Sequence, residues 1–113
     1  MTVNYIKYEG LDRDYRYGLC FCTKEEINKI SGKNCEAAFI DDIAYFSSLD
    51  IPVLAHESLH ISIEMQRRTV DDIDFNDLLL KKSVPSEEAF AYSYSDIFNT
   101  VYDWAMKQKG IKV

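Results

Sequence analysis

Two histidines separated by three residues are the side chains in this sequence best suited to chemistry. They are His56 and His60, the only histidines of the chain, and Glu57 follows the first of them in an H-E-x-x-H pattern. On a helix, residues four apart lie on one face, so both imidazoles can point at one metal ion. Zinc accepts such a pair, and Glu57 lies where it can take a proton from an activated water. The spacing predicts a Zn²⁺ site with His56 and His60 as ligands and Glu57 as general base.

The segment that carries this motif is predicted to be a long, largely buried helix. Asp50 is a favourable N-cap, Pro52 suits the first turn, and the helix should end near Arg68. One stripe of it combines apolar residues with a small serine: Leu54, Ser58, Ile61 and Met65. The alternative interpretation is a plain core helix whose histidines bond to the backbone or to carboxylates.

A zinc site of this kind needs a third protein ligand, and with no further histidine it must be Cys, Asp or Glu. Ser86 is predicted to cap a long final helix, with Glu87 and Glu88 in its first turn. We expect Glu88 to be the ligand, because Ala91 one turn further on leaves room for the ion. In the alternative, both glutamates only stabilise the start of the helix.

These two motifs resemble those of the gluzincin branch of zinc metallopeptidases, which combine H-E-x-x-H with a glutamate on a later helix. The second half, Glu88-Ala-Phe-Ala-Tyr92, is similar to that of small phage-encoded H-E-x-x-H proteins and of ImmA/IrrE-type peptidases. The resemblance covers about residues 36–104. It implies one zincin-like metallopeptidase domain over residues 1–113, with His56, His60 and Glu88 as ligands and Glu57 as the catalytic base.

The sequence departs from the thermolysin-like pattern four residues after the ligand glutamate, where those enzymes have an aspartate that orients a histidine. Here that position is Tyr92, and either its hydroxyl or Asp96 would have to serve instead. A tyrosine is also the expected donor to the oxyanion, and Tyr92, Tyr94 and Tyr102 are the candidates.

The remaining pattern predicts an α+β fold, a small antiparallel sheet packed on two main helices. Residues 3–9 and 15–22 form one predicted hairpin, and residues 35–40 and 43–47 form a second around Asp41–Asp42. One strand of the second hairpin is predicted to be an edge along which an extended peptide pairs. Between the hairpins, Thr23–Glu26 is a capping box for a short helix that ends at Gly32. A further short helix is expected around Leu78–Lys82.

Composition limits the classes of function. A length of 113 residues suits one domain, and the net charge of −6 argues against a nucleic-acid surface. No apolar run is long enough for a membrane span, and no signal peptide is predicted at the N-terminus. Three cysteines, an odd count, indicate reduced thiols and a cytoplasmic location.

Three functions remain open at this point, and the oligomeric state is open in all of them. The favoured one is zinc-dependent hydrolysis of a protein or peptide, with a specific protein target as the expected substrate. The second is a zincin-fold binding protein without turnover, for example an acidic phage inhibitor of a host protein. The third is a structural zinc domain with four protein ligands.

Overall fold

The chain combines a four-stranded sheet with three helices in the residues described. The computed structural model describes residues 1–9, 14–69 and 84–110, and side chains within 1–9, 14–68 and 90–110. In chain order the elements are β1 Val3–Tyr8, β2 Tyr15–Phe21, α1 Lys24–Ser31, β3 Ala37–Ile40, β4 Ile43–Phe46, α2 Ile51–Thr69 and α3 Val84–Gln108. The predicted α+β class is confirmed.

The strands lie in the order β1-β2-β4-β3, so that β1 and β3 are the edges of the sheet. Both predicted hairpins are present and antiparallel, β1 with β2 and β3 with β4. The central pair differs from the expected all-antiparallel sheet, because β2 and β4 are parallel, with Gly18 opposite Ile43. A parallel pair needs a long crossover, and residues 22–42, which include α1, supply it.

Helices α2 and α3 pack together and against one face of the sheet, where the hydrophobic core lies. The predicted stripe on α2 is confirmed: Leu54, Ser58 and Ile61 are fully buried and Met65 is nearly so. Leu59, the residue after Ser58, is 40% exposed. Leu19 of β2 belongs to this core, so the next residue, the buried Cys20, points to the opposite face of the sheet.

The local signals that fix the ends of the elements behave largely as predicted. The Thr23 side chain accepts from the Glu26 backbone N–H, the Glu26 side chain accepts from the Thr23 backbone N–H, and Gly32 ends α1 with a φ of 71°. Asp41 and Asp42 both have positive φ, as a tight two-residue hairpin turn requires.

In the C-terminal half, one expectation differs from the structure and another lies outside the described residues. Helix α3 begins at Val84, before the predicted cap at Ser86, and Pro85 lies in its first turn, where a missing N–H costs nothing. The short helix predicted around Leu78–Lys82 lies outside the described residues. None of the helices described is long and apolar enough to cross a membrane.

Candidate metal centre

The two histidines of α2 lie on one face of the helix, with their rings nearly perpendicular to one another. The Nε2 atoms of His56 and His60 are 3.2 Å apart, and the ring planes make an angle of 77°. Two nitrogens that bind one zinc ion at about 2.05 Å and the tetrahedral angle lie about 3.3 Å apart. The pair therefore has the nitrogen separation that a shared zinc ion requires. A hydrogen bond between the two imidazoles would give a similar separation.

Glu57 completes the group from the buried side of the helix. Ligand atoms of His56, Glu57 and His60 all lie within 4.8 Å of one another. The Glu57 side chain is only 4% exposed, and its Oε2 atom is buried without a hydrogen-bond partner among the described residues. A buried carboxylate oxygen in this state is costly, and a nearby cation or water would relieve the cost. The donor set thus fits a divalent cation.

Electrostatics at the site follow from burial and from the proximity of the three groups. Burial raises the pKa of the Glu57 carboxyl, and the charge of His56 opposes that increase. Burial, reinforced by His56, lowers the pKa of His60 and keeps that imidazole neutral over a wider pH range. A neutral imidazole is the form that binds a metal, and a carboxylate with a raised pKa is a better proton acceptor near neutral pH.

Side-chain hydrogen bonds and ion pairs hold α2 in place around the motif. Ser58 donates to the Leu54 carbonyl, and its small side chain lets the helix lie close to its neighbours in the core. Near the helix end, Arg68 pairs with Glu64 at 2.9 Å and with Asp42 at 3.1 Å, which ties α2 to the β3–β4 turn. Glu64 thus pairs with both arginines of the last turn of α2, Arg67 and Arg68.

The motif opens onto two adjoining clefts along the free edge of β3. The first, called here the edge cleft, has a volume of about 310 Å³ and extends from His60 along β3 to Ile40, with Lys33 in its wall. The second, called the Glu36 cleft, has a volume of about 280 Å³ and lies at the start of β3. Ala37, His56 and Glu57 line both. The predicted edge strand is therefore β3, and the motif lies where the two clefts meet.

Among the α3 residues predicted for the site, the structure places Tyr94 beside the motif helix and Tyr92 away from the clefts. Glu88 falls within α3, but its side chain lies outside the described residues. Tyr92 is 70% exposed and lines neither cleft. Tyr94 donates its hydroxyl hydrogen to the Ala55 carbonyl at 3.1 Å, and Tyr102 packs against the core.

No carboxylate of the described residues forms a hydrogen bond with either imidazole, and Asp96 is exposed. A carboxylate that orients the histidines is therefore not found within this part of the chain. Two residues that the sequence did not indicate, Lys33 and Glu36, line the clefts. Their only signal was their position at the start of the hairpin that precedes the motif, which does not tell which way a side chain points.

Comparisons with known proteins gave no match: no family model, no curated protein and no solved structure aligned significantly with this chain. The resemblance to gluzincins thus rests on the motif residues alone. The class supported by fold and site is an α+β protein with a His-Glu-His group suited to a metal ion.

Proposed function

We propose that this protein is a zinc-dependent peptidase whose active centre is the His56–Glu57–His60 group. The observation that carries the proposal is the 3.2 Å separation of the two Nε2 atoms beside a buried, unpartnered Glu57 oxygen. A hydrogen-bonded histidine pair in an ordinary core helix has no need of a buried carboxylate next to it, since such a carboxylate only adds a desolvation cost.

Each residue then has a definite task. His56 and His60 would hold the ion, with Glu88 as the proposed third ligand. A zinc ion held there would supply Lewis-acid chemistry, namely the acidification of a water and the polarisation of the substrate carbonyl. Glu57 accepts the proton of the attacking water and passes it to the amine that leaves. Tyr92, predicted as the oxyanion donor, is exposed and lines neither cleft, so it is not placed to take that task.

The free edge of β3 supports a peptide as the substrate. β3 pairs with β4 on one side only, and its residues line the edge cleft, so a further strand can add to its other side. An extended peptide that adds to this edge gains backbone hydrogen bonds, and its path passes the motif at Ala37. A protein substrate would need an unfolded or loop segment to bind in this way.

The proposal is tested with the zinc-loaded protein and its Glu57→Gln variant. Elemental analysis should find about one zinc per chain in both proteins, because Gln removes a proton acceptor and no ligand. Both are then incubated with a peptide library prepared from a bacterial lysate, and new termini are identified by mass spectrometry.

We expect new termini with the parent protein and none above background with Glu57→Gln. Absence of zinc uptake by the parent would overturn the metal site. Zinc uptake without any cleavage would overturn the peptidase and favour a binding protein that retains the metal. Loss of zinc in Glu57→Gln would make Glu57 a ligand and remove it as the base.

A further inference from the structure

The Glu36 cleft differs from the edge cleft in its charge and in its walls, and this difference bears on the substrate. Besides the motif residues, it is lined by Ala37, Pro52 and Val53, which offer apolar surface, and by Glu36 at its rim. The edge cleft has Lys33 in its wall instead. The two sides of the motif therefore favour different side chains.

Glu36 is fixed at the entrance of its cleft through its backbone. Its carbonyl accepts two hydrogen bonds from Ser47, one from the backbone N–H at 2.9 Å and one from the hydroxyl at 2.8 Å. The carboxylate is exposed, and no cation of the described residues pairs with it. The backbone of Glu36 is thus anchored, and its exposed carboxylate is available to a ligand.

A second carboxylate lies deeper in the same cleft. Glu57 is 4% exposed, and its Oε2 atom is buried without a partner. The cleft thus has one carboxylate at its rim, Glu36, and one at its floor, Glu57. The apolar surface of Pro52 and Val53 lies between them. Lysine and arginine match the apolar surface and the acidic rim, because each can lay a long apolar stem on Pro52 and Val53 and place its cation at Glu36.

The direction of the substrate follows from the pairing at the sheet edge. Antiparallel pairing is the more stable arrangement per residue, so a bound peptide should run opposite to β3. β3 begins at Ala37, next to the Glu36 cleft, and runs toward Ile40. The peptide therefore leaves the motif through the Glu36 cleft, which receives the residue on the carboxyl side of the cleaved bond.

We propose that the Glu36 cleft selects a lysine or arginine side chain, which makes peptides with a basic residue on the carboxyl side of the cleaved bond the preferred substrates. This inference rests on the proposed peptidase function for the position of the cleaved bond. The binding preference itself depends only on Glu36 and the cleft, so the two proposals can fail separately.

The test uses three fluorescent peptides, Thr-Val-Phe-X-Val-Thr, in which X is lysine, norleucine or glutamate. Norleucine keeps the apolar stem of lysine and lacks its charge. Fluorescence anisotropy measures binding to the protein in a chelator, where no peptide is hydrolysed. Variant Glu36→Gln removes the charge at the rim, and Glu25→Gln, an exposed residue of α1 that lines neither cleft, is the matched control for net charge.

We expect the lysine peptide to bind the parent about fivefold more tightly than the norleucine peptide, as one partly exposed ion pair allows. The preference should disappear in Glu36→Gln, persist in Glu25→Gln and weaken at high salt. Equal binding of all three peptides, no binding of any, or an unchanged preference in Glu36→Gln would overturn the inference.

Hydrolysis of the same peptides by the zinc-loaded protein separates the two proposals. Cleavage before lysine, faster than before norleucine, supports both. Equal cleavage of all three peptides overturns the selection by Glu36 and leaves the peptidase intact. A binding preference that depends on Glu36 supports the selection even if nothing is cleaved, and the peptidase proposal then fails alone.

Discussion

At the scale of single residues, the arrangement of His56, Glu57 and His60 is the feature with the clearest chemical consequence. Both imidazoles must be neutral to bind a metal, and burial lowers the pKa of His60 below its usual 6.5. Protons therefore compete weakly with zinc at neutral pH and strongly only in acid.

Zinc affinity should fall steeply below about pH 6, because protons then compete with the metal for imidazole nitrogen. Competition with a chromogenic chelator between pH 7 and pH 5 measures it. The variant His60→Ala, which lacks one ligand, should bind weakly throughout and show a shallower pH dependence. A constant affinity between pH 7 and pH 5 would show that the histidines are not the ligands.

Two neighbouring glutamates, Glu87 and Glu88, are the candidates for the third zinc ligand. On a helix Glu87 and Glu88 point about 100° apart, so only one of them can face α2. We predict that Glu88→Ala lowers zinc affinity at least tenfold and that Glu87→Ala leaves it nearly unchanged. The same chelator competition compares the two variants. Equal losses, or a larger loss for Glu87→Ala, would contradict the assignment to Glu88.

At the scale of elements, the sheet depends on a close approach at Gly18 of β2. A Cβ atom at this position would lie 2.7 Å from Val3 Cγ1, and 3.2 Å and 3.3 Å from the side chains of Ile43 and Tyr5. Gly18 pairs with Tyr5 on one side and Ile43 on the other, and the crowded atoms all belong to side chains, so side chains on both neighbouring strands would have to move. Glycine avoids this crowding.

Gly18→Ala should destabilise the protein by about 1 kcal/mol, the low end of the cost of overpacking, because the crowding side chains are partly exposed and can move. Urea denaturation monitored by the fluorescence of Trp104 measures the loss. The double variant Gly18→Ala with Val3→Ala removes the nearest clashing atom. The stability losses of the two single variants should therefore sum to more than the loss in the double variant. Simple additivity would show that Val3 is not the source of the clash.

At the scale of the whole molecule, the core contains tyrosines where an all-apolar core would have phenylalanine. Tyr15 and Tyr17 of β2 are 3% and 1% exposed, and both face the core between the sheet and the helices. The Tyr15 hydroxyl donates to Asp42 at 2.7 Å. Burial raises the pKa of Tyr17 to about 12, because the ionised phenol would lose its hydration.

This burial makes the stability sensitive to alkaline pH. The pKa of Tyr17 is about 12 when folded and about 10 when unfolded, so its contribution is complete below pH 10 and is lost as pH rises toward 12. In this range the free energy of unfolding should decrease less steeply with pH in Tyr17→Phe than in the parent. The difference in slope should be up to about 1.4 kcal/mol per pH unit. Urea denaturation from pH 8 to 11 measures it, with Tyr5→Phe, at an exposed position, as control. An unchanged slope in Tyr17→Phe would contradict the prediction.

The sequence by itself determined the features that depend on neighbours along the chain. Capping at Thr23 and Glu26, the turn at Asp41–Asp42 and the shared face of His56 and His60 all follow from local dihedral preferences and from the helical repeat. Both hairpins were predictable for the same reason, since a short turn brings adjacent strands together.

Only the tertiary structure decided the features that join distant segments. The parallel pairing of β2 with β4 makes β3 an edge, and this edge gives the motif its clefts and brings in Glu36 and Lys33. Tertiary packing also buries Glu57 and leaves Leu59 exposed, although both residues lie in the same apolar stretch of sequence. A local sequence pattern determines which residues lie on the same face of a helix or strand. The neighbour that covers that face is set by packing across the whole chain, which the pattern does not contain.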